Sequence, residues 1–462
     1  MALDITLIVT YFAILLGFGV LVANLFRKIK IPDAFFLIIL GLILGPTVFA
    51  NPAVAQYIHA TIVDLGAMGP VPDFLRILAL IMIVFTGTFN LSLKVFKRFS
   101  DVSIKLAIIG PIFNTLFLGL AAWGLLGLDP VFALLLGGVL SGTGDFVVFT
   151  FKDFMPKNSK SMTILWVESV LNSPLSVLLP LLLLELITLQ PGSLFQPLTY
   201  AGQFWQQVAT GVGAGVLIGF AAGRLLKNVL KEYTALLMFS IALITFALAE
   251  NVGGSGLLAV AVCGLITGNM VLPEREEIRR FDDHLSEMLR ISVFTLLGAG
   301  VALFVTVEQL WIAFLFFLVV FFSRIIYLIP LLGKERRELG KQDILLLAFA
   351  APKGIESAAT APIVAATLLA AGQGGAAATI ANVVILVMIF TILVSTAVVR
   401  LIGSRAARDG GTEMGQVGEE KAIIRKKGTK YVREPEQVVE VVDIDEEPVA
   451  EKKARKRKKY SE

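Results

Sequence analysis

The sequence predicts an all-α polytopic membrane protein of about 13 transmembrane helices, two of them broken, in two inverted repeats. Three observations predict it. The 462 residues are 56% hydrophobic and 16% charged, with mean hydropathy +0.82, and a soluble core does not need so many long apolar runs. At roughly 20 apolar residues per crossing, the runs centre near Ile14, Leu40, Ile83, Phe113, Leu140, Leu175, Gly213, Ile241, Val262, Leu296, Phe317, Ala358 and Met388. Helix-breaking residues stand in mid-run at Gly142-Thr143-Gly144 and again at Pro352-Lys353-Gly354, in the fifth and twelfth runs.

The first run, Leu3 to Phe26, is too long for a signal-peptide core and is followed by Arg27, Lys28 and Lys30, so it is read as a retained span. Basic residues then fill every second loop, as at Lys97/Arg98, Lys152/Lys157/Lys160, Arg224/Lys227/Lys231, Arg275/Arg279/Arg280 and Lys334/Arg336/Arg337/Lys341. Loops 51–71, 188–203 and 370–377 contain no lysine or arginine. The bias places the N-terminus outside and the C-terminus in the cytoplasm. Arg76, close to Asp73, is the local exception. Gly41-Leu42-Ile43-Leu44-Gly45 in the second span recurs as Gly264-Leu265-Ile266-Thr267-Gly268 in the ninth, and Val84-Phe85-Thr86 in the third as Val293-Phe294-Thr295 in the tenth. These pairs and the two breaks are all seven spans apart. Seven is odd, so the copies cross in opposite directions. Repeat one covers about 4–187, a linking span about 203–226, and repeat two about 232–403. Glycines 211, 215 and 219 make a packing stripe on the linking span. Residues 274–287 read as a short charged cytoplasmic helix. The tail, 404–462, ends in a lysine- and arginine-rich run. It lacks the apolar content to fold and is expected to be disordered in the cytoplasm, where it can touch anionic membrane lipid.

Inverted repeats with interrupted helices at matching places point to a secondary transporter with its site at mid-membrane. A broken span frees backbone groups that lipid cannot satisfy, so it survives only around a cavity or site. Charge at bilayer depth costs roughly 3 kcal/mol, and five ionisable residues lie there: Asp145, Glu168, Arg324, Lys353 and Glu356. Glu168 and Arg324, on different spans, are expected to pair. Lys353 and Glu356, three apart, are expected to pair on one helix face and to compensate the charges of the second break. Asp145 is then left as the free acid, directly after Gly144, with Ser141, Thr143, Asn172 and Ser173 as neutral oxygens for a partly dehydrated cation. Asp145 is therefore expected to alternate between proton and cation.

With these residues in view, the chain resembles the cation/proton antiporter superfamily, closest to archaeal and bacterial sodium/proton exchangers. The resemblance rests on Pro32 to Pro46, Ser141-Gly142-Thr143, Glu168-Ser169-Val170-Leu171-Asn172, Gly264 to Asn269, Arg324 and Pro352-Lys353-Gly354, and runs over about residues 4 to 403. It implies crossed broken helices within a six-helix core, a dimerisation domain, a homodimer in the plasma membrane, and exchange of Na+ or K+ for H+ by an elevator-like movement. It also implies Thr143 and Asn172 as site residues and Glu168–Arg324 as a structural ion pair. Two positions depart from the family. Asn172 is followed by Ser173, where the family has a titrating Asp, and Thr143-Gly144-Asp145 stands in place of Thr-Asp-Pro. Ser173 keeps an alternative open: a protein of the same fold that does not exchange cations for protons, such as a uniporter, an anion carrier or a sensor. A catalytic role is not indicated, since no His-Glu-x-x-His or Gly-x-x-x-x-Gly-Lys-[Ser/Thr] occurs. A single cysteine and two histidines leave no metal site beyond a transported cation and call for no cofactor. Basic residues gather at membrane edges and in the tail, so the net charge of +4 gives no reason to expect a nucleic-acid partner.

Overall fold

The computed structural model describes residues 5–26, 32–46, 62–91, 93–144, 148, 151, 160–189, 197–228, 233–270, 275–301, 307–337 and 339–424. Contacts divide the chain into two units, Met1–Arg408 and Asp409–Glu462; apart from the end of α14, the elements and contacts below belong to the first. Among the described residues the long elements are helices: α1 Ile5–Phe26, α2 Asp33–Leu44, α3 Val71–Phe89, α4 Leu93–Leu126, α5 Pro130–Val139, α6 Lys160–Leu189, α7 Pro197–Asn228, α8 Thr234–Asn251, α9 Gly256–Gly268, α10 Arg275–Ala299, α11 Val307–Leu332, α12 Lys341–Phe349, α13 Ile355–Ala370 and α14 Gly374–Ile424.

Among the described residues, eight stretches are long and apolar enough to cross a membrane, and α2, α5, α9 and α13 are shorter apolar helices. Each of the thirteen expected centres falls in or at the end of a helix. The shorter pieces have a local reason: α5 stops at Val139 and α12 at Phe349 because the chain unwinds there. The expected separate charged helix over 274–287 differs. It is the first half of α10, continuous with the tenth span, because nothing between Arg275 and Ala299 breaks a helix.

The glycine repeats do the packing work. A Cβ on Gly41 would overlap the Thr295 carbonyl and Gly298, so α2 lies directly on α10. A Cβ on Gly264 or Gly268 would overlap Thr88 Oγ1 or the Phe89 carbonyl, so α9 lies directly on α3. The arrangement is reciprocal: each copy's glycine-bearing helix packs on the other copy's Val-Phe-Thr helix. Close approach of this kind, with dispersion and no hydrophobic drive, is what holds helices together in lipid. Gly211, Gly215 and Gly219 of α7 meet Ser255, which caps α9, and Ala259 and Cys263 within it. Large apolar side chains such as Phe18, Leu120, Trp205, Leu217, Phe220 and Phe322 face outward, as a surface solvated by lipid requires.

Candidate ion site at two unwound segments

The α5 helix opens with Asp129 accepting from the Val131 amide at 3.0 Å and ends at Val139. Leu140 to Gly144 are unwound. The α12 helix ends at Phe349, Ala350 to Gly354 are unwound, and α13 starts at Ile355. The two unwound segments touch. The Gly144 amide donates to the Pro352 carbonyl at 2.8 Å, and a Cβ on Gly144 or Gly354 would overlap the other's Cα. Glycine is required at both by this approach.

Unwinding leaves carbonyls that water does not reach, and side chains from three other helices, α4, α13 and α14, and from Lys353 of the second segment meet them. Ser357 Oγ donates to the Val139 carbonyl at 2.7 Å, Asn114 Nδ2 to Ser141 at 2.9 Å, and Lys353 Nζ to Gly142 at 2.8 Å. Ser395 Oγ donates to the Phe349 carbonyl at 2.8 Å. The Lys353 amide donates to Thr391 Oγ1 at 3.2 Å. Asn114 is itself held by Ser323, whose Oγ donates to Asn114 Oδ1 at 2.9 Å. Ser357, Asn114, Thr391, Ser323 and Ser395 were not singled out in the sequence; the only signal is a polar residue in an otherwise apolar span.

The α6 helix presents Glu168, Asn172, Ser173 and Ser176 to this crossing. Asn172 Oδ1 accepts from the Thr143 amide at 3.4 Å, and a Cβ on Gly142 would overlap Ser176 Oγ. Arg324 of α11 meets Glu168 through both guanidinium nitrogens, Nη2 to Oε2 at 2.7 Å and Nη1 to Oε1. Its Nε donates to the Leu347 carbonyl at 3.0 Å, and Nη1 also reaches Tyr327 Oη at 2.7 Å. Both members are buried, and a two-pronged fork between buried charges is the geometry that offsets their desolvation.

Glu356 sits in the first turn of α13, where the helix dipole favours an anion. Its Oε1 lies 2.5 Å from Ser173 Oγ, while Oε2 is buried without a hydrogen-bond partner. The expected Lys353–Glu356 pair does not form among the described residues. Lys353 lies in the unwound segment, so the helical three-residue spacing does not apply, and its amine turns to Gly142. Ser141 Oγ is also buried without a partner. Thr143 and Lys353 border a water-sized cavity shared with Asn114, Arg324, Tyr327 and Thr391. Asp145 lies outside the described residues.

The sodium/hydrogen exchanger family profile, for a transmembrane protein, matches residues 12–404. The chain is 29% identical over 324 residues to a probable Na(+)/H(+) antiporter 2 of Methanocaldococcus jannaschii, covering 65% of this chain and 71% of that protein. It is 25% identical over 314 residues to the K(+)/H(+) antiporter NhaP of Alkalimonas amylolytica, covering 64% and 50%. The structure of the sodium proton antiporter MjNhaP1 from M. jannaschii at pH 8 shares its fold, with TM-score 0.73 at 21% identity over 86% of this chain and 98% of the other. A polytopic helical fold with touching unwound segments, and a profile match over most of the chain, make this multi-pass membrane protein a member of the sodium/hydrogen exchanger family.

Proposed function

We propose that the chain is a secondary active antiporter, not an enzyme, exchanging a monovalent cation, Na+ or K+, for H+, with Glu356 as the group for which cation and proton compete. Family membership and relatives named as Na(+)/H(+) and K(+)/H(+) antiporters support the exchange. One observation carries the site: a buried carboxyl at the crossing of two unwound segments, one oxygen on Ser173 and the other without a partner.

Counting hydrogens gives the mechanism. Ser173 Oγ stands 2.9 Å from the Ser169 carbonyl and 2.5 Å from Glu356 Oε1. A hydroxyl has one hydrogen. Both contacts are full hydrogen bonds at once when Glu356 holds a proton and donates it to Ser173, which then donates to Ser169; without that proton the Ser173 hydrogen is divided between two acceptors. When the proton leaves, the Ser173 hydrogen turns to the carboxylate, and the unpartnered Oε2 is open to a cation. We assign Thr143, Asn172, Ser141 and Ser173 as its neutral ligands; of these, Ser173 meets Glu356 directly. One carboxyl holding a proton or a cation, but not both, is what couples the two fluxes. Ser173 thus serves as partner to the titrating acid instead of being one. In this reading Glu168–Arg324 and Lys353 are structural, the first joining α6 to α11 and the second donating a hydrogen bond to the Gly142 carbonyl that the unwinding leaves open.

A second reading gives the coupling role to Asp145, which follows Gly144 directly; the Gly144–Pro352 bond brings the preceding residue to the crossing. We further propose that residues 1–403 form the antiporter domain, with the repeat limits given above supported by the reciprocal glycine packing, that 404–462 are a cytoplasmic tail, and that the protein is a homodimer in the plasma membrane with its N-terminus outside. The test is flux from purified protein in sealed vesicles carrying a pH-sensitive dye: adding Na+ or K+ should move protons in the opposite direction, with Li+ as comparison. No cation-driven proton movement at any pH would leave the uniporter, anion carrier or sensor reading.

A further inference from the structure

We propose that Asn114 of α4 is a positioning residue for the transported cation: it fixes the first unwound segment and thereby sets the affinity of the site. The proposal rests on the reading of Ser141 and Thr143 as ligands beside Glu356. The segment from Leu140 to Gly144 has no helical ladder, and its main chain is held at a few points. The Ser141 amide donates to the Gly138 carbonyl at 3.1 Å, Lys353 Nζ to Gly142 at 2.8 Å, and the Thr143 amide to Asn172 at 3.4 Å. Among the described residues, the Ser141 carbonyl is met by Asn114 alone, at 2.9 Å. Ser141 Oγ is buried without a hydrogen-bond partner, so the main chain decides where that hydroxyl stands.

Asn114 is buried and can face Ser141 in one way only. A carbonyl accepts and does not donate, so Nδ2 must point to it. Oδ1 then faces Ser323 Oγ at 2.9 Å, whose hydrogen is shared with the Val320 carbonyl at 2.8 Å. Nδ2 has a second hydrogen, and it serves Tyr327, whose hydroxyl also accepts from Arg324 Nη1 at 2.7 Å. A chain of buried polar contacts therefore runs from Glu168 on α6, through Arg324 and Tyr327 on α11, to Asn114 on α4, and ends on the unwound segment.

The two repeats support this assignment. At the crossing they are in register, with residue numbers 210 apart in each pair. The α5 helix ends at Val139 and α12 at Phe349, with Ser357 and Ser395 on those carbonyls. Thr143 and Lys353 give their amides to Asn172 and Thr391. Gly144 and Gly354 touch. At the same spacing Asn114 corresponds to Arg324, and each reaches a carbonyl near the end of an interrupted helix, Ser141 for one and Leu347 for the other. Arg324 is charged and needs Glu168; Asn114 does the same work without a counter-ion. A cation that enters a segment already held in place does not have to order it. Without Asn114, binding must order Ser141 to Thr143, so affinity falls while the titrating acid is untouched.

Cation affinity of the purified full chain tests this. It is read in sealed vesicles as the half-saturating Na+ or K+ for proton flux at fixed pH. It is read again in detergent as the rise of the thermal midpoint with the same cation, against choline. Asn114→Ala should raise the half-saturating concentration about tenfold by both measures, with the maximal rate per folded protein changed less. Should that variant not fold, Ser323→Ala removes the hydroxyl that holds Oδ1 and should raise it about threefold. A half-saturating concentration equal to wild type in the variant that folds, with only yield or maximal rate reduced, would overturn the proposal. Coupled flux that persists in Glu356→Gln would overturn the reading of the acid instead, and the cation-dependent midpoint of Asn114→Ala would still decide the role of Asn114.

Discussion

Ser173 and Glu356 place one hydrogen among competing acceptors, and the nearby charges divide by whether they have such a choice. Arg324 and Glu168 have none: the fork between them is complete. Removing one member leaves an unpaired buried charge, at roughly 3–5 kcal/mol. Glu168→Gln or Arg324→Leu alone should lower the thermal midpoint and the folded yield, and the double substitution should recover part of both. A double variant no more stable than the worse single would contradict a simple pair. At this scale the sequence reveals which residues are too polar for their depth, but not which partner each selects. Lys353 and Glu356 are three apart, and a helix would join them; the unwinding at Ala350 to Gly354 sends one to Gly142 and the other to Ser173. Partner choice depends on local unwinding, which composition does not report.

The elements at the crossing depend on contacts that tolerate no added atom. Gly354→Ala would push a methyl into Gly144, and overpacking of a tight site costs about 1–3 kcal/mol. Because the displaced groups are the backbone of both unwound segments, transport should fall more than stability. Ser357→Ala should cost about 1–3 kcal/mol by leaving the buried Val139 carbonyl unpaired. Thermal unfolding in detergent measures both; an unchanged midpoint in Ser357→Ala would remove that cap from the account. The breaks themselves are legible in the sequence, because glycine and proline in an apolar run are costly for a helix. The caps are not, since a serine or threonine in such a run can equally bond its own helix, as Thr267 does to the Cys263 carbonyl.

For the whole molecule, long apolar runs and alternating basic loops carry most of the information, and the family match over 12–404 falls on the same stretch. The join between the charged segment and the tenth span was not legible, because charge density changes along α10 while its helical backbone does not. Topology is directly measurable. In a Cys263→Ser background, a cysteine introduced between residues 188 and 203 should react with an impermeant reagent from outside the cell, and one among 334–341 only after the cytoplasmic side is opened. The reverse pattern would invert the orientation.

The competition at Glu356 is tested most directly by cation-driven proton flux in sealed vesicles across pH, comparing wild type, Glu356→Gln and Asp145→Asn. Glu356→Gln keeps shape and a hydrogen bond to Ser173 but cannot titrate. It should abolish coupled flux in a folded protein, while Asp145→Asn should retain pH-dependent exchange. Exchange that survives in Glu356→Gln and is lost in Asp145→Asn would contradict the assignment and move the coupling carboxylate to the fifth span.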